Sequence, residues 1–489
     1  TFDFLVAHEF YAYNYKYLKA QRAGLMNGII ELRPGATLKD GDSYSYDYRI
    51  DSYLSRFNYD YDDKYYLSAS VRRDASSRFK RNNRTGSFWS LGGNWRISQE
   101  KFLKDVKWID NLSYKVSYGE QGNDNILDSD GDPRYYLWQG LSSVAYANAN
   151  TTGSLLSTLE NAEVSWEKNG NFNTGLEGSF FDGRLKASVE YYYRKTSDML
   201  LNYPMAVSTG FSGYDANVGN MRNTGVEIEL SGTPIRTKDF SWSLSWMGST
   251  INNKVTKLTE ESKQLLTGNY IIKEGLPIYT FYVSKSAGVD PATGAQLYWA
   301  YDKDKDGNIT KEYITSNRNK ATNSRYELGS RVPDLYGSIG TNLTYKNFDL
   351  SVLTTYSIGG KVLDVLYYND MNLQFLNNSL HKNALRRWQK PGDITDIPRM
   401  AIKETASVLD RYLINASYFA IKNITLTYTL PKYLTKKAGL SNVRVFCSAD
   451  NIALFSHLDG MDPQYNFSGG TSYAYPSNKT WTLGLEVNF

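Results

Sequence analysis

The nine residues that end the chain, Trp481-Thr482-Leu483-Gly484-Leu485-Glu486-Val487-Asn488-Phe489, alternate apolar and polar without a break and stop on phenylalanine. On a β-strand, successive side chains point to opposite faces. Trp481, Leu483, Leu485, Val487 and Phe489 therefore share one side, and Thr482, Gly484, Glu486 and Asn488 the other. A strand that is oily outside, polar inside and closed by an aromatic suits the last stave of an outer-membrane β-barrel. The same period of two recurs along the chain. Tyr65, Leu67, Ala69 and Val71 oppose Tyr66, Ser68, Ser70 and Arg72, and Leu185, Ala187, Val189, Tyr191 and Tyr193 oppose Lys186, Ser188, Glu190, Tyr192 and Arg194. Val226, Ile228 and Leu230 oppose Glu227 and Glu229, Trp242, Leu244 and Trp246 oppose three serines, and Leu426, Tyr428 and Leu430 oppose three threonines.

Composition narrows the alternatives. No run of eighteen apolar residues occurs in the 489, which excludes a membrane-spanning helix. The 41 tyrosines stand out, and tyrosine suits both strands and the wet-dry boundary of a membrane. A large soluble β-protein with a tyrosine-rich binding surface is the competing reading. A net charge of +4 gives no reason to expect nucleic acid as a partner. The single cysteine, Cys447, permits no internal disulfide.

Connections fall into two classes. Short ones carry turn chemistry, as at Asp60–Asp63, Phe181–Gly183, Asp290–Gly294 and Lys346-Asn347. Long polar ones lie at 122–165, 253–278, 302–334, 360–415 and 456–478. Their alternation is that of an up-and-down transmembrane barrel with short periplasmic turns and long external loops. A Greek-key sandwich has no reason to keep such an asymmetry. About sixteen strands are expected by this alternation, including 279–289 and 294–301, with 1–11 and 46–60 among the first. The chain opens at Thr1 with neither an initiating methionine nor a signal peptide, and on the barrel reading an N-terminal part of the gene product precedes it.

Enzymatic motifs are weak. His8-Glu9 begins like a zinc-protease motif, but Ala12 stands where the second histidine must be. No phosphate loop, dinucleotide fingerprint or serine elbow is present, and no enzyme activity is expected. Asp302, Asp304 and Asp306 alternate before Gly307, like the first half of an EF-hand calcium loop. The bidentate glutamate is missing, with Tyr313 in its place and Glu312 one short, so a Ca²⁺ ion stiffening residues 302–309 competes with a solvated acidic turn. No other cofactor is expected. Tyr135, Tyr136, Trp138 and Tyr146 in one long loop, and Tyr367, Tyr368 and Phe375 in another, are candidates to stack on sugar rings or grip peptide side chains. Packing within the loops is the plainer role for the same rings. The segment His381–Trp388 reads as helical, which would make 360–415 a folded loop.

Several runs resemble those of SusC/RagA-family TonB-dependent outer-membrane transporters. They include Tyr118-Gly119-Glu120-Gln121-Gly122-Asn123, Trp166-Glu167-Lys168-Asn169, Tyr191–Leu200, and Gly219-Asn220-Met221-Arg222-Asn223-Thr224-Gly225. Others are Gly288–Gly294, Val332-Pro333-Asp334-Leu335-Tyr336-Gly337, Asn347–Ser351, Leu426–Pro431, Ala449–Ile452 and Gly460-Met461-Asp462-Pro463-Gln464. The last departs from the family pattern by glutamine for glutamate. The resemblance implies a 22-stranded barrel, all-β, of which residues 1–489 would form the C-terminal portion. The plug, the TonB-contacting segment and the first strands would lie outside it. It further implies location in the bacterial outer membrane, amid lipid and lipopolysaccharide, and a SusD-like surface lipoprotein as a lid. Import of oligosaccharides or peptides would be driven by TonB-ExbB-ExbD through the N-terminal part. A barrel serving as scaffold or receptor without active transport is the alternative.

Overall fold

The computed structural model describes residues 1–127, 131–148, 151–259, 263–305, 307–372, 379–401, 407–457, 462–464, 470 and 477–489. It is nearly all strand, with a few short helical turns. The chain divides into two compact units, one of residues 1–95, 116–172 and 194–220, the other of 96–115, 173–193 and 221–489.

In the first unit, β1 (Phe2–Ala23), β2 (Thr37–Tyr61), β3 (Tyr65–Ser76) and β4 (Thr85–Arg96) pair antiparallel in chain order. The register lines up Tyr59, Leu67 and Gly93, and two residues on Phe57, Ala69 and Leu91, as the apolar alternation requires. Leu67, Val71, Trp89 and Leu91 are exposed on this outward side. The opposite side carries a network in which Arg72 donates to Asp74, Glu9 and Ser52. The Asp62-Asp63 turn has both residues at positive φ, the geometry of a tight hairpin between right-twisted strands.

Strands β5 (Ile109–Asn123), β6 (Glu167–Phe180) and β7 (Leu185–Ser197) contribute residues to both units. The second unit continues with β8 (Asn220–Arg236), β9 (Phe240–Thr250), β10 (Leu335–Tyr345), β11 (Phe348–Ile358), β12 (Tyr418–Thr429), β13 (Asn442–Ser456) and β14 (Thr480–Asn488). Each pairs antiparallel with the next. One outward row runs Trp242, Leu343, Leu350, Leu426, Cys447 and Leu483 across six strands. Trp481 is 73% exposed, Leu483 79% and Leu485 66%, so among the described residues no second layer covers the oily face of the last strand.

Two of the expected staves are placed elsewhere. The segments 279–289 and 294–301 do not join this wall. Thr280–Val283 pairs with Tyr270–Lys273 and Tyr326–Ser330, and Lys285–Val289, Gln296–Lys303 and Ile309–Thr315 form a separate three-stranded sheet. The reason is burial. Phe281, Val283, Tyr298 and Ala300 are enclosed, together with Ala321, Leu363, Met371, Ala384, Ile397, Leu409 and Tyr412. The long connections 251–334 and 359–417 thus build a hydrophobic core of their own. The expected helix at 381–388 is a short 3₁₀ turn, Lys382–Arg386, set into that core through Ala384.

The first hairpin also exceeds expectation. β1 and β2 have 22 and 25 residues, about twice the roughly 9–11 that a tilted strand needs to cross hydrocarbon. The outer halves carry tyrosines and charges in place of aliphatic residues, and that polar composition hid their strand character.

Candidate functional site

In the second unit, the inward-pointing residues at one end of the wall enclose a cavity of about 400 Å³. Met221 and Asn223 of β8, Ile251 and Asn253 after β9, Tyr336 of β10, Ser357 at the end of β11 and Tyr418 opening β12 line it, with Arg331, Val332 and Pro333 before β10, Lys361 after β11, and Pro463 and Gln464. Asn253, 7% exposed, fixes the polar floor. Its Oδ1 accepts the Ile278 N–H at 2.7 Å, and its Nδ2 donates to Asn223 Oδ1 at 2.7 Å. The Arg331 guanidinium lies over Tyr279, 3.3 Å from the ring centre. Gln464 accepts from Lys422 Nζ at 3.1 Å and donates to Asp462. Three motifs more than a hundred residues apart, 219–225, 332–337 and 462–464, converge here. Sequence reading used them only as family marks. The signal that could have located the site is that each stands where a strand meets a long loop.

A second hollow of about 620 Å³ lies farther along the inward face. Glu177, Lys186 and Glu229 line it with Ser179, Ser188, Ser231 and Ser245, and Lys115 pairs with Glu177 beside it. Mixed charges and hydroxyls on this face, against tryptophan and leucine on the other, are what a water-filled lumen requires.

In the first unit the extended hairpin carries a tyrosine ladder. Tyr13, Tyr15 and Tyr17 of β1 stand opposite Tyr48, Tyr46 and Tyr44 of β2. Tyr17 stacks on Tyr44 at 4.7 Å between ring centres, Tyr15 on Tyr46 at 5.9 Å, and Tyr135 on Tyr46 at 5.2 Å. Tyr135 is held in the row by Arg78, whose guanidinium lies 5.1 Å from its ring and 4.6 Å from that of Tyr48. Arg78 pairs with Asp124 at 3.2 Å, and Asp124 also accepts from Ser76 at 2.6 Å and Tyr48 at 2.9 Å. This buried pair pins the long loop to the hairpin.

The candidate aromatics therefore part company. Tyr135 joins the ladder, and Tyr136 accepts the Asp47 N–H through its hydroxyl at 3.2 Å. Trp138 packs against the core of Phe79, Phe88, Ile126, Leu137, Val164, Trp166 and Leu200. Tyr146 sits in the strand Ser142–Asn148 opposite Gly153, and its side chain lies outside the described residues. Tyr367 and Tyr368 pack edge-on against Tyr412 at 5.9 and 5.4 Å, within the loop core. Burial pushes the Tyr412 phenol up to about 12. Phe375 lies outside the described residues.

Of the aspartate run, Asp302 accepts the Tyr313 hydroxyl at 3.2 Å, and Asp304 accepts the Asn308 N–H at 2.8 Å and its side-chain amide at 3.2 Å. These bonds close the hairpin between Gln296–Lys303 and Ile309–Thr315. Asp306 lies outside the described residues. Among the described residues no three His, Cys, Asp or Glu side chains converge as metal ligands.

A wall that is oily outside and wet inside, with folded external loops, defines an outer-membrane β-barrel. Residues 1–452 match the family described as TonB dependent receptor-like, beta-barrel, and the chain belongs to that family. It is similar to TonB-dependent receptor P3 of Formosa agariphila, 30% identical over 97% of this chain and 50% of the relative. To TonB-dependent receptor SusC of Bacteroides thetaiotaomicron it is 29% identical, over 93% of this chain and 45% of the relative. Among solved structures, that of the RagAB peptide transporter superposes with a TM-score of 0.87 at 31% identity, covering 100% of this chain and 53% of that one. The chain thus spans about half the length of these relatives.

Proposed function

We propose that this chain is the wall and outer mouth of an importer. The full-length protein would take up oligosaccharides or peptides across the outer membrane, coupled to TonB-ExbB-ExbD through its N-terminal part. A SusD-like lipoprotein would close over the mouth. The observation that carries this reading is the inward cavity at the loop end of the wall, built from three separated motifs and continuous in facing with the polar hollow below it. Peptides gain weight from the likeness to the RagAB peptide transporter. Tyr135 and Tyr136, on the loop that docks against the hairpin, are the ligand-facing candidates of the first unit.

The test is uptake of labelled peptide and oligosaccharide pools by cells with the full-length gene intact or deleted, with and without a protonophore. Import predicts uptake that needs both the gene and the proton gradient. Binding that persists while gene-dependent uptake is absent would instead mark a surface receptor.

A further inference from the structure

The cavity at the loop end of the second unit has a charge character that its shape does not explain. Among the described residues of its lining two are cations, Arg331 and Lys361, and none is an aspartate or glutamate. The neighbouring acids, Asp334 and Asp462, are outside the lining, and Asp462 accepts both the backbone and side-chain N–H groups of Gln464. The remaining walls are largely apolar, from Ile251, Ile278, Tyr279, Val332, Pro333 and Tyr336.

The backbone is shaped to put both cations there. Gly359 and Gly360 have φ of +84° and +75°, a left-handed conformation that other residues adopt at a cost. A Cβ on Gly359 would strike the Asp334 carboxylate, and one on Gly360 would stand 2.9 Å from the Arg331 carbonyl oxygen. Only glycines let the chain turn back against 331–334 and deliver Lys361 to the cavity. The lysine stem then lies across Gly329, its Cε 3.2 Å from where a Cβ would be.

We propose that this cavity receives a carboxylate-bearing end of the transported molecule. The carboxylate lies against Lys361 and Arg331, and the adjoining apolar group rests on Ile278, Tyr279 and Tyr336. A charge-assisted contact in a largely apolar recess is far stronger than one in open water, and a neutral end forgoes it. The volume is ordinary for a small-ligand site, roughly 300–1,000 Å³, and admits an end, not a whole oligomer. The carboxylate can come from a peptide C-terminus or from a uronic acid. This inference rests on the import reading and narrows its substrate.

The test uses the full-length protein in detergent and competing ligand pools, with bound material identified by mass spectrometry. One pair is a casein digest, half of it amidated at its carboxyl groups. The other is oligogalacturonides mixed with neutral galacto-oligosaccharides. The carboxylate form of at least one pair should be enriched about tenfold among bound molecules, the scale of one charge-assisted contact. Which pair shows it identifies the source. Lys361→Met should bring the enrichment to about twofold, and Lys361→Arg should retain it and control for folding. Equal binding of both forms, or enrichment unchanged in Lys361→Met and in Lys361→Met with Arg331→Met, overturns the inference and leaves import standing. If no pool binds and the deletion strain takes up all of them normally, the import reading itself falls.

Discussion

Two regions of the second unit, the wall and the sheets of its long loops, are built from strands of opposite environment. In the wall, Leu483 and Leu485 lie on the surface, where hydrocarbon would cover them. In the loop sheets, Phe281 is 0% exposed and Tyr298 nearly so. The wall strands read as strict alternation. By contrast, Gln296-Leu297-Tyr298-Trp299-Ala300-Tyr301 is a nearly continuous apolar run, the mark of a strand enclosed by protein. The difference teaches that period two identifies a strand, while the second face identifies its solvent.

The comparison breaks first, if it is wrong, in the loop core. Phe281→Ala should cost about 3–5 kcal/mol, the range for a buried aromatic truncated in a packed core. Thermal unfolding and limited proteolysis of the 251–334 and 359–417 loops should show it. A loss no larger than that of an exposed residue would mean that these loops have no core. Next in size, arginine at Leu244 or Leu485 should cost about 2–4 kcal/mol near the bilayer midplane, and arginine at Ser243 close to nothing. Equal refolding free energies for the two faces would reverse the assignment of lipid and lumen.

The ladder of the first unit should show a smaller effect than either. Tyr46→Ala removes stacking with Tyr15, Tyr44 and Tyr135, and should cost about 1 kcal/mol, read as a shift in melting temperature. Alkaline pH sharpens the contrast by an effect of similar size. The Tyr412 phenol is held protonated by burial to about 12, against 10.0 unburied. Its contribution is therefore full below pH 10 and is lost as pH rises toward 12, because the unfolded state releases its proton first. Calorimetry at pH 9 and 11 should show the loop core weakening, and Tyr412→Phe should weaken it less. The smallest effect expected is that of chelation. Asp302 and Asp304 already hold their turn through hydrogen bonds, so EDTA should leave the melting temperature within about 1 °C. A larger drop would establish a bound cation in the 302–309 loop.

Much of this molecule was legible in its residues because a membrane imposes a rule at every second position. Alternation alone set the facing of β3, β7, β9 and β14, and turn chemistry placed Asp62-Asp63 and Lys346 at positive φ. The cavity was not legible. Met221, Arg331, Lys361 and Gln464 share no local pattern, and only the antiparallel pairing of β8 through β12 brings their chain segments together. The two fates of the loop tyrosines were equally hidden. Tyr135 and Tyr367 each stand beside a second tyrosine in a long connection, but one meets the extended hairpin and the other a core assembled from loops a hundred residues apart. Sequence determines what each strand shows to its two sides, since that is set by neighbours one and two residues away. What fills the space between distant loops is a matter of packing, and packing is decided only when the whole fold has formed.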